Sequence, residues 1–363
     1  MRKLFWRVHS IVGLWAGIGL CVIGLTGSVL VFHEEIDALL SPEQTRVEPT
    51  AEGRRSLNEL VAAVENEVPG HAVTGWSMNR DDPSAADGVF VMPFGTREWK
   101  YITVDPYRAE VLSAPHLKES TLYGWLLDLH MAFFLKDVGL AITGLLGVAL
   151  CFLGISGLYL YRRFWKSLFR LRWRASFRMI SGDFHRLVGV WSVGFNLLLG
   201  FTGAYWNLSH VVEDLIAPHE DPADEVLFHE KLFPSDLDVA AFPERARDHL
   251  AGFDTNYISF PWAPGGVFTL WGRHEDAAWF RSPYGSQVAF DSASGDFLSV
   301  HDLTQDGLWK QAEDAFEPLH FGNFGGLTSK VFWSIAGLAP GLLCVSGMSI
   351  WWQRRRRQSS VSK

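Results

Sequence analysis

Four histidines recur in pairs at matched positions of this 363-residue chain. Segment 9–27, HSIVGLWAGIGLCVIGLTG, aligns without a gap on segment 185–203, HRLVGVWSVGFNLLLGFTG. Counted from His9 and His185, both have Val at +3, Gly at +4, Trp at +6, Gly at +15, Thr at +17 and Gly at +18. A second pair, His130 and His320, each follows a Leu and has Phe at +4, Gly at +17 (Gly147, Gly337) and Ser-Gly at +26 and +27 (Ser156-Gly157, Ser346-Gly347). A lone histidine at the end of an apolar run is equally well explained as an interfacial hydrogen-bonding side chain. Recurrence in register asks for more. Two copies in one orientation imply a pseudo-two-fold axis, which sets the members of each pair at equal distances from it. Two imidazoles facing each other across an axis have the geometry of bis-histidine haem ligation.

The glycines bear on the same chemistry. Gly13, Gly24 and Gly27 in the first copy, and Gly189, Gly200 and Gly203 in the second, fall near the face of their own histidine at about 100° per residue. Either a side-chain-free groove for a flat macrocycle or close helix–helix packing accounts for them. Arg7 and Arg186 adjoin the His9–His185 pair, as propionate contacts or as topology anchors. His33 and His210 stand at +24 and +25 from their motif histidines, one residue out of register, and are alternative ligands or substrate-site residues. His71, His116, His219, His229, His249, His274 and His301 lack metal spacing and are expected at the surface. There is no P-loop, no G-x-S-x-G, no second histidine after His33-Glu34 or His219-Glu220, and no flavin or nicotinamide fingerprint. An electron-transfer protein of this composition takes its reductant from elsewhere.

The elements that must position these residues are membrane spans. Uncharged apolar stretches occupy 10–32, 138–161, 187–212 and 331–353, each longer than the roughly 20 residues that cross a bilayer. The first is too long for a signal-peptide core and no small-x-small site follows it, so it reads as a retained helix. Disorder is excluded by 48% hydrophobic and 14% aromatic content. Segments 1–9, 162–186 and 354–363 carry 16 basic residues against one acid, Asp183, and are therefore expected in the cytoplasm, with both termini there. Segments 33–137 and 213–330 carry the other 16 basic and 39 acidic residues and are expected outside. The net charge of −8 is thus the sum of two opposed sides and implies no nucleic-acid partner. Arg162, Arg163, Lys166, Arg170, Arg172, Arg174 and Arg178 fix topology and meet anionic lipid. Cys21, Cys151 and Cys344 lie in the spans as apolar packing residues.

Each external segment reads as a small α+β domain with an antiparallel sheet. Ser56-Leu57-Asn58-Glu59 is a capping box that opens a helix to about Glu67, and Pro243 opens a counterpart ending near Gly252. Alternating segments such as Trp99–Asp105 and Ser286–Asp291 follow. Asp105 and Asp291 begin matched D-x-x-x-x-[DE]-x-L elements whose acids suit turns and caps rather than catalysis.

The paired H-x-x-V-G-x-W spans, the L-H-x-x-x-F elements (LHMAFF and LHFGNFGG) and the two D-x-x-x-x-[DE]-x-L segments resemble the PepSY-associated transmembrane family over nearly the whole chain. The resemblance implies four spans in a pseudo-two-fold arrangement with two periplasmic α+β PepSY-like domains. It extends to inner-membrane ferric-siderophore reductases of the ferrioxamine reductase type, which implies haem b, two groups in all, held by His9 with His185 and by His130 with His320. The implied reaction carries electrons from a cytoplasmic or membrane donor to ferric siderophore in the periplasm and releases Fe(II). Two other classes compete: a membrane-anchored periplasmic PepSY binding or regulatory module without redox activity, and an iron or siderophore transporter. An anchor has no need of matched histidines on both sides, and a transporter predicts broken helices or polar midplane residues.

Overall fold

A computed structural model describes residues 1–79, 82–163, 168–216 and 227–361. Lys166 and His219 lie outside the described residues. The chain forms two compact units: a helix bundle of Met1–Phe32, Trp125–His219 and Leu319–Lys363, and a sheet unit of His33–Gly124 and Glu220–Pro318. Residues 125–137 and 319–330, expected with the external domains, pack instead with the bundle.

Among the described residues, four helices are long and apolar enough to cross a membrane. The first span is Arg2–Leu30, the second Lys136–Leu160 and the third Phe177–Ile216. The third extends well beyond the apolar run at both ends, its flanking polar sequence containing no proline within the helix. The fourth span is two helices, Gly326–Gly337 and Ala339–Val361, rather than one. The break at Leu338 precedes Pro340, whose ring removes a backbone donor and clashes with the preceding turn. A Cβ on Gly24 of the first span would sit 2.6 Å from the Gly337 carbonyl oxygen of the fourth. A Cβ on Gly200 of the third would sit 2.9 Å from the Gly147 carbonyl oxygen of the second. These two crossings are close backbone approaches of the kind small residues permit in membranes. Gly24 and Gly200 are therefore packing residues and not part of a cofactor groove. The cysteines pack as expected: Cys344 Sγ faces Gly17 and Cys21 Sγ faces Gly341.

The sheet unit departs from the expectation of two separate sheets. Its strands are β1 (His71–Ser77), β2 (Asp87–Pro93), β3 (Lys100–Asp105), β4 (Glu110–Val111), β5 (Phe253–Ser259), β6 (Val267–His274), β7 (Ser286–Asp291) and β8 (Phe297–His301). They form one eight-stranded antiparallel sheet in the order β4-β3-β2-β1-β5-β6-β7-β8. Two half-sheets fuse through β1 and β5, with Gly75 opposite Ser259 and Ser77 opposite Tyr257. Pairing those two strands satisfies backbone groups that two separate sheets would leave as open edges.

Helices Leu57–Glu67 and Phe242–His249 contribute Leu60, Val64, Phe242 and Ala246 to a core with Val89, Ile102, Phe268 and Phe290. The capping box at Ser56 and Glu59 forms as read, and Pro243 lies in the first turn of the second helix. Asp105 Oδ1 accepts from the amides of Tyr107 and Arg108, and Asp291 Oδ1 from those of Ala293 and Ser294, so both acids are turn residues. Several outer histidines are more engaged than a solvated surface requires. His249 stacks on Phe297 with ring centroids 3.6 Å apart, and His274 Nε2 lies 3.1 Å from Asp302.

The half-sheet of β1 to β4 depends on one buried carboxylate. Asp87 is 0% exposed. It accepts from Trp76 Nε1 at 2.8 Å and from the Asn79 amide at 3.1 Å, and it pairs with Arg54. Asp87→Ala strands the indole donor and the guanidinium together. It is expected to destabilise the sheet unit by about 3 kcal/mol, read as a lower unfolding midpoint of the full-length protein in detergent. An unchanged midpoint would contradict this account of the core.

Candidate functional site

The bundle brings the four motif histidines together as two pairs. His9 on the first span and His185 on the third have ring centroids 6.5 Å apart at an interplanar angle of 87°. His130 and His320, on the short helices Leu122–Ala132 and Phe316–Phe321 that precede the second and fourth spans, have centroids 6.4 Å apart at 76°. A metal–imidazole nitrogen bond is about 2.0 Å, and the nitrogen stands about 1.1 Å from the ring centre. Two imidazoles on one ion therefore have centroids roughly 6 Å apart. Both pairs have that spacing.

Each ring is oriented by a hydroxyl at its Nδ1. For His9 the partner is Ser156 Oγ at 2.7 Å, and for His185 it is Ser346 Oγ at 2.9 Å. For His130 it is Thr26 Oγ1 at 3.0 Å, with the Ile23 carbonyl also at 3.0 Å. For His320 it is Thr202 Oγ1 at 2.6 Å. Every one of these hydroxyls donates to a carbonyl three or four residues earlier in its own helix, at Leu153, Leu342, Val22 and Leu198. The hydroxyl proton is spent on the backbone, so the oxygen accepts from Nδ1–H. That tautomer leaves the Nε2 lone pair as the free ligand atom, the arrangement that outer-shell partners impose on metal-binding imidazoles.

The residue after each hydroxyl is glycine, and the ring edge lies on it. A Cβ on Gly27 would be 2.9 Å from His130 Cε1, and one on Gly203 3.5 Å from His320 Cε1. On Gly157 it would be 3.7 Å from His9 Cε1, and on Gly347 3.4 Å from His185 Cε1. The Thr-Gly and Ser-Gly pairs are thus histidine cradles. The sequence reading placed Gly27 and Gly203 in a groove or packing face and gave the hydroxyls no role. A hydroxyl followed by glycine at a fixed offset in both copies was the signal.

A cavity of about 930 Å³ opens between the spans around His9 and His185, the upper part of the range for ligand sites. Gly13 and Gly189 line it, and a Cβ on either would make only ordinary contact, with Leu153 or Leu343. Asn196, 3% exposed, also lines it, with Oδ1 unpartnered and Nδ2 donating to Ser192. The basic lining differs from expectation. Arg7 is exposed and not among the lining residues, since two residues before His9 is about 200° around the helix. Arg2, one further turn and a half back, regains the histidine's face and lines the cavity together with Arg178, Arg186 and Arg354. Arg186 is held by Asp183 at 3.3 Å and by the Arg170 carbonyl at 2.7 Å. An apolar cavity with two lone-pair imidazoles and a cationic mouth fits a flat metallomacrocycle bearing carboxylates.

His33 and His210 do not join either pair. His33 belongs to the sheet unit and packs at a tilt on Tyr123, ring centroids 4.5 Å apart, whereas His210 belongs to the bundle and lies 3.5 Å from Asp214. Their one-residue offset turns the two side chains about 100° apart relative to their motif histidines, which separates their surroundings.

Comparison with known proteins agrees with the architecture. The chain is 30% identical over 255 residues to the uncharacterized protein PA4219 of Pseudomonas aeruginosa, an alignment spanning 63% of this chain and 63% of that protein. The model of the PepSY-associated TM region matches residues 6–354, and the chain belongs to that membrane-protein family.

Proposed function

We propose that this protein is an inner-membrane reductase that carries electrons from the cytoplasmic side to ferric siderophore in the periplasm, releasing Fe(II) for uptake. One observation carries the reading: two histidine pairs, with ring centroids 6.5 and 6.4 Å apart, each imidazole holding its Nδ1 on a hydroxyl. His9 and His185 would hold one haem b, and His130 and His320 another. Bound in these places, haem supplies one-electron exchange between Fe(III) and Fe(II).

The chain's own residues supply the rest. Ser156, Ser346, Thr26 and Thr202 hold the ligand tautomer and ring orientation. Arg2, Arg178, Arg186 and Arg354 offer cationic partners to carboxylates at the mouth of the cavity. His9 and Thr26, which orients His130, are 17 residues apart on one helix, a rise of about 25 Å. The two sites therefore divide the thickness of a bilayer core of about 30 Å between them. The basic bias of 1–9, 162–186 and 354–363 supports cytoplasmic termini and periplasmic placement of the sheet unit. Matched cradles and the mirrored strand order about β1 and β5 support duplication of one span–domain–span element.

The break of the fourth span at Leu338 is a feature that a transporter reading predicts. Here the adjoining Gly337 is occupied by packing against Gly24 and Ser28. A regulatory module leaves the histidine cradles without a purpose. A reduced-minus-oxidised difference spectrum of the purified protein decides among these readings. A low-spin b-type signal of about two haems per chain is expected, and a protein that stays colourless after supply of haem during expression would sink the proposal.

A further inference from the structure

The residue displaced from the haem sites, His210, has partners of its own. It lies on the third span one turn before Asp214, and Asp137 faces both from the first turn of the second span. One imidazole nitrogen and one oxygen from each carboxylate all lie within 4.8 Å of one another. His210 Nε2 and Asp214 Oδ2 are 3.5 Å apart. Bonds of about 2.0–2.2 Å to a common ion put ligand atoms roughly 3–4 Å apart, so the three groups need only about 1 Å of side-chain adjustment to share one.

We infer that Asp137, His210 and Asp214 form a binding site for a divalent first-row transition-metal ion at the end of the spans that carries His130 and His320. The two helices are pinned next to it. Asn207, less than one turn before His210, donates through Nδ2 to Thr143 Oγ1 at 2.7 Å and to the Met131 carbonyl at 3.3 Å. Thr143 follows Asp137 by six residues on the second span. The two helices that carry the ligands are thus cross-linked by hydrogen bonds beside the site.

Simpler roles explain the parts but not their meeting. A helical His–Asp pair four residues apart and an acid in a first turn are each ordinary helix electrostatics. Neither requires the three groups to converge from two helices. The fold does not require it either. At the matching positions of the other motif copy, His210, Asp214 and Asp137 correspond to Glu34, Ala38 and Leu327. The triad is specific to one of the two junctions. One imidazole with two carboxylates suits Mn²⁺, Fe²⁺ or Zn²⁺ better than Ca²⁺ or Mg²⁺, which take oxygen ligands. Asp137 and His210 are exposed, leaving coordination positions to exchangeable water. Thr202 and His210 are eight residues apart on the third span, about 12 Å of rise, so the site lies close to the outer histidine pair. The identification of Fe²⁺ as the physiological occupant rests on the proposed function, which releases it at that end, whereas binding of the ion does not.

The test uses full-length protein in detergent with Mn²⁺ as probe, in excess Mg²⁺. Loss of the six-line electron paramagnetic resonance signal of free Mn²⁺ reports binding, so neither haem nor turnover enters the measurement. One Mn²⁺ per chain is expected to bind and to be displaced by Fe²⁺ under anaerobic conditions. His210→Ala, Asp137→Asn and Asp214→Asn should each weaken binding about tenfold or more, and Glu34→Gln at the matching position should leave it unchanged. Absence of Mg²⁺-resistant binding overturns the site, as does binding that survives all three substitutions.

Discussion

His320→Ala is expected to abolish Fe(II) production outside sealed vesicles while the inner histidine pair still accepts electrons. Protein reconstituted in liposomes, reduced from the cytoplasmic face and supplied outside with ferric siderophore and an Fe(II) trap, separates the two events. The expectation follows from position. His320 and His130 meet at one end of the bundle with centroids 6.4 Å apart, and His9 and His185 meet at the other at 6.5 Å. Alanine would remove one of the two imidazoles proposed to hold the outer haem and leaves Ser156, Ser346 and both inner histidines untouched. His130→Ala should behave the same way, since Thr26 and the Ile23 carbonyl then orient nothing. His9→Ala and His185→Ala should block both events, because the entry site is lost. Wild-type rates in both outer variants, together with loss in His33→Ala or His210→Ala, would move the ligand assignment to those residues. Wild-type rates in the His130, His320, His33 and His210 variants alike would remove the assignment of an outer histidine-held haem.

Much of this arrangement could be read from sequence, for reasons that differ by element. The apolar runs and capping box are local signals, so four spans emerged where they were read, the second of them and the helix Leu57–Glu67 close to their read boundaries. The histidine pairing was legible because it is written twice: repetition in register converts four weak signals into one symmetric constraint. The fusion of two half-sheets through β1 and β5 was not legible. It joins residues some 180 positions apart through backbone hydrogen bonds, and alternation along a strand does not name its partner. The hydroxyl partners were missed for the same reason. Ser156 and His9 are 147 residues apart, and only the folded bundle places one on the other. The break at Leu338 was hidden inside a hydropathy window to which Pro340 adds little. Of the two alternatives read for Arg7, a place on the cavity is the one its position does not favour, since a helix turns about 200° in the two residues that separate it from His9.

The cradle glycines permit a steric test that leaves every ligand in place. Gly27→Val is expected to displace His130 and so prevent binding of the proposed outer haem, because a Cβ there already falls 2.9 Å from His130 Cε1 and a branched side chain adds two methyl groups. The ring cannot simply step aside. Its Nδ1 is fixed to Thr26 and to the Ile23 carbonyl, and shifting it trades those hydrogen bonds for a lost ligand position. Gly157→Ala makes the contrasting case at the inner pair, where the added Cβ lies 3.7 Å from His9 Cε1, an ordinary contact. The first variant should therefore lose about half of the low-spin absorbance and all Fe(II) production, and the second should keep both near wild type. The gap between the two separates steric displacement from a general intolerance of glycine substitution in the bundle. Gly24→Ala separates it further: its Cβ would meet the Gly337 carbonyl oxygen at 2.6 Å, a backbone atom that cannot rotate away, so it should lower the stability of the whole bundle rather than one site. Full retention of the low-spin signal in Gly27→Val would show that His130 is not held against the first span as a ligand.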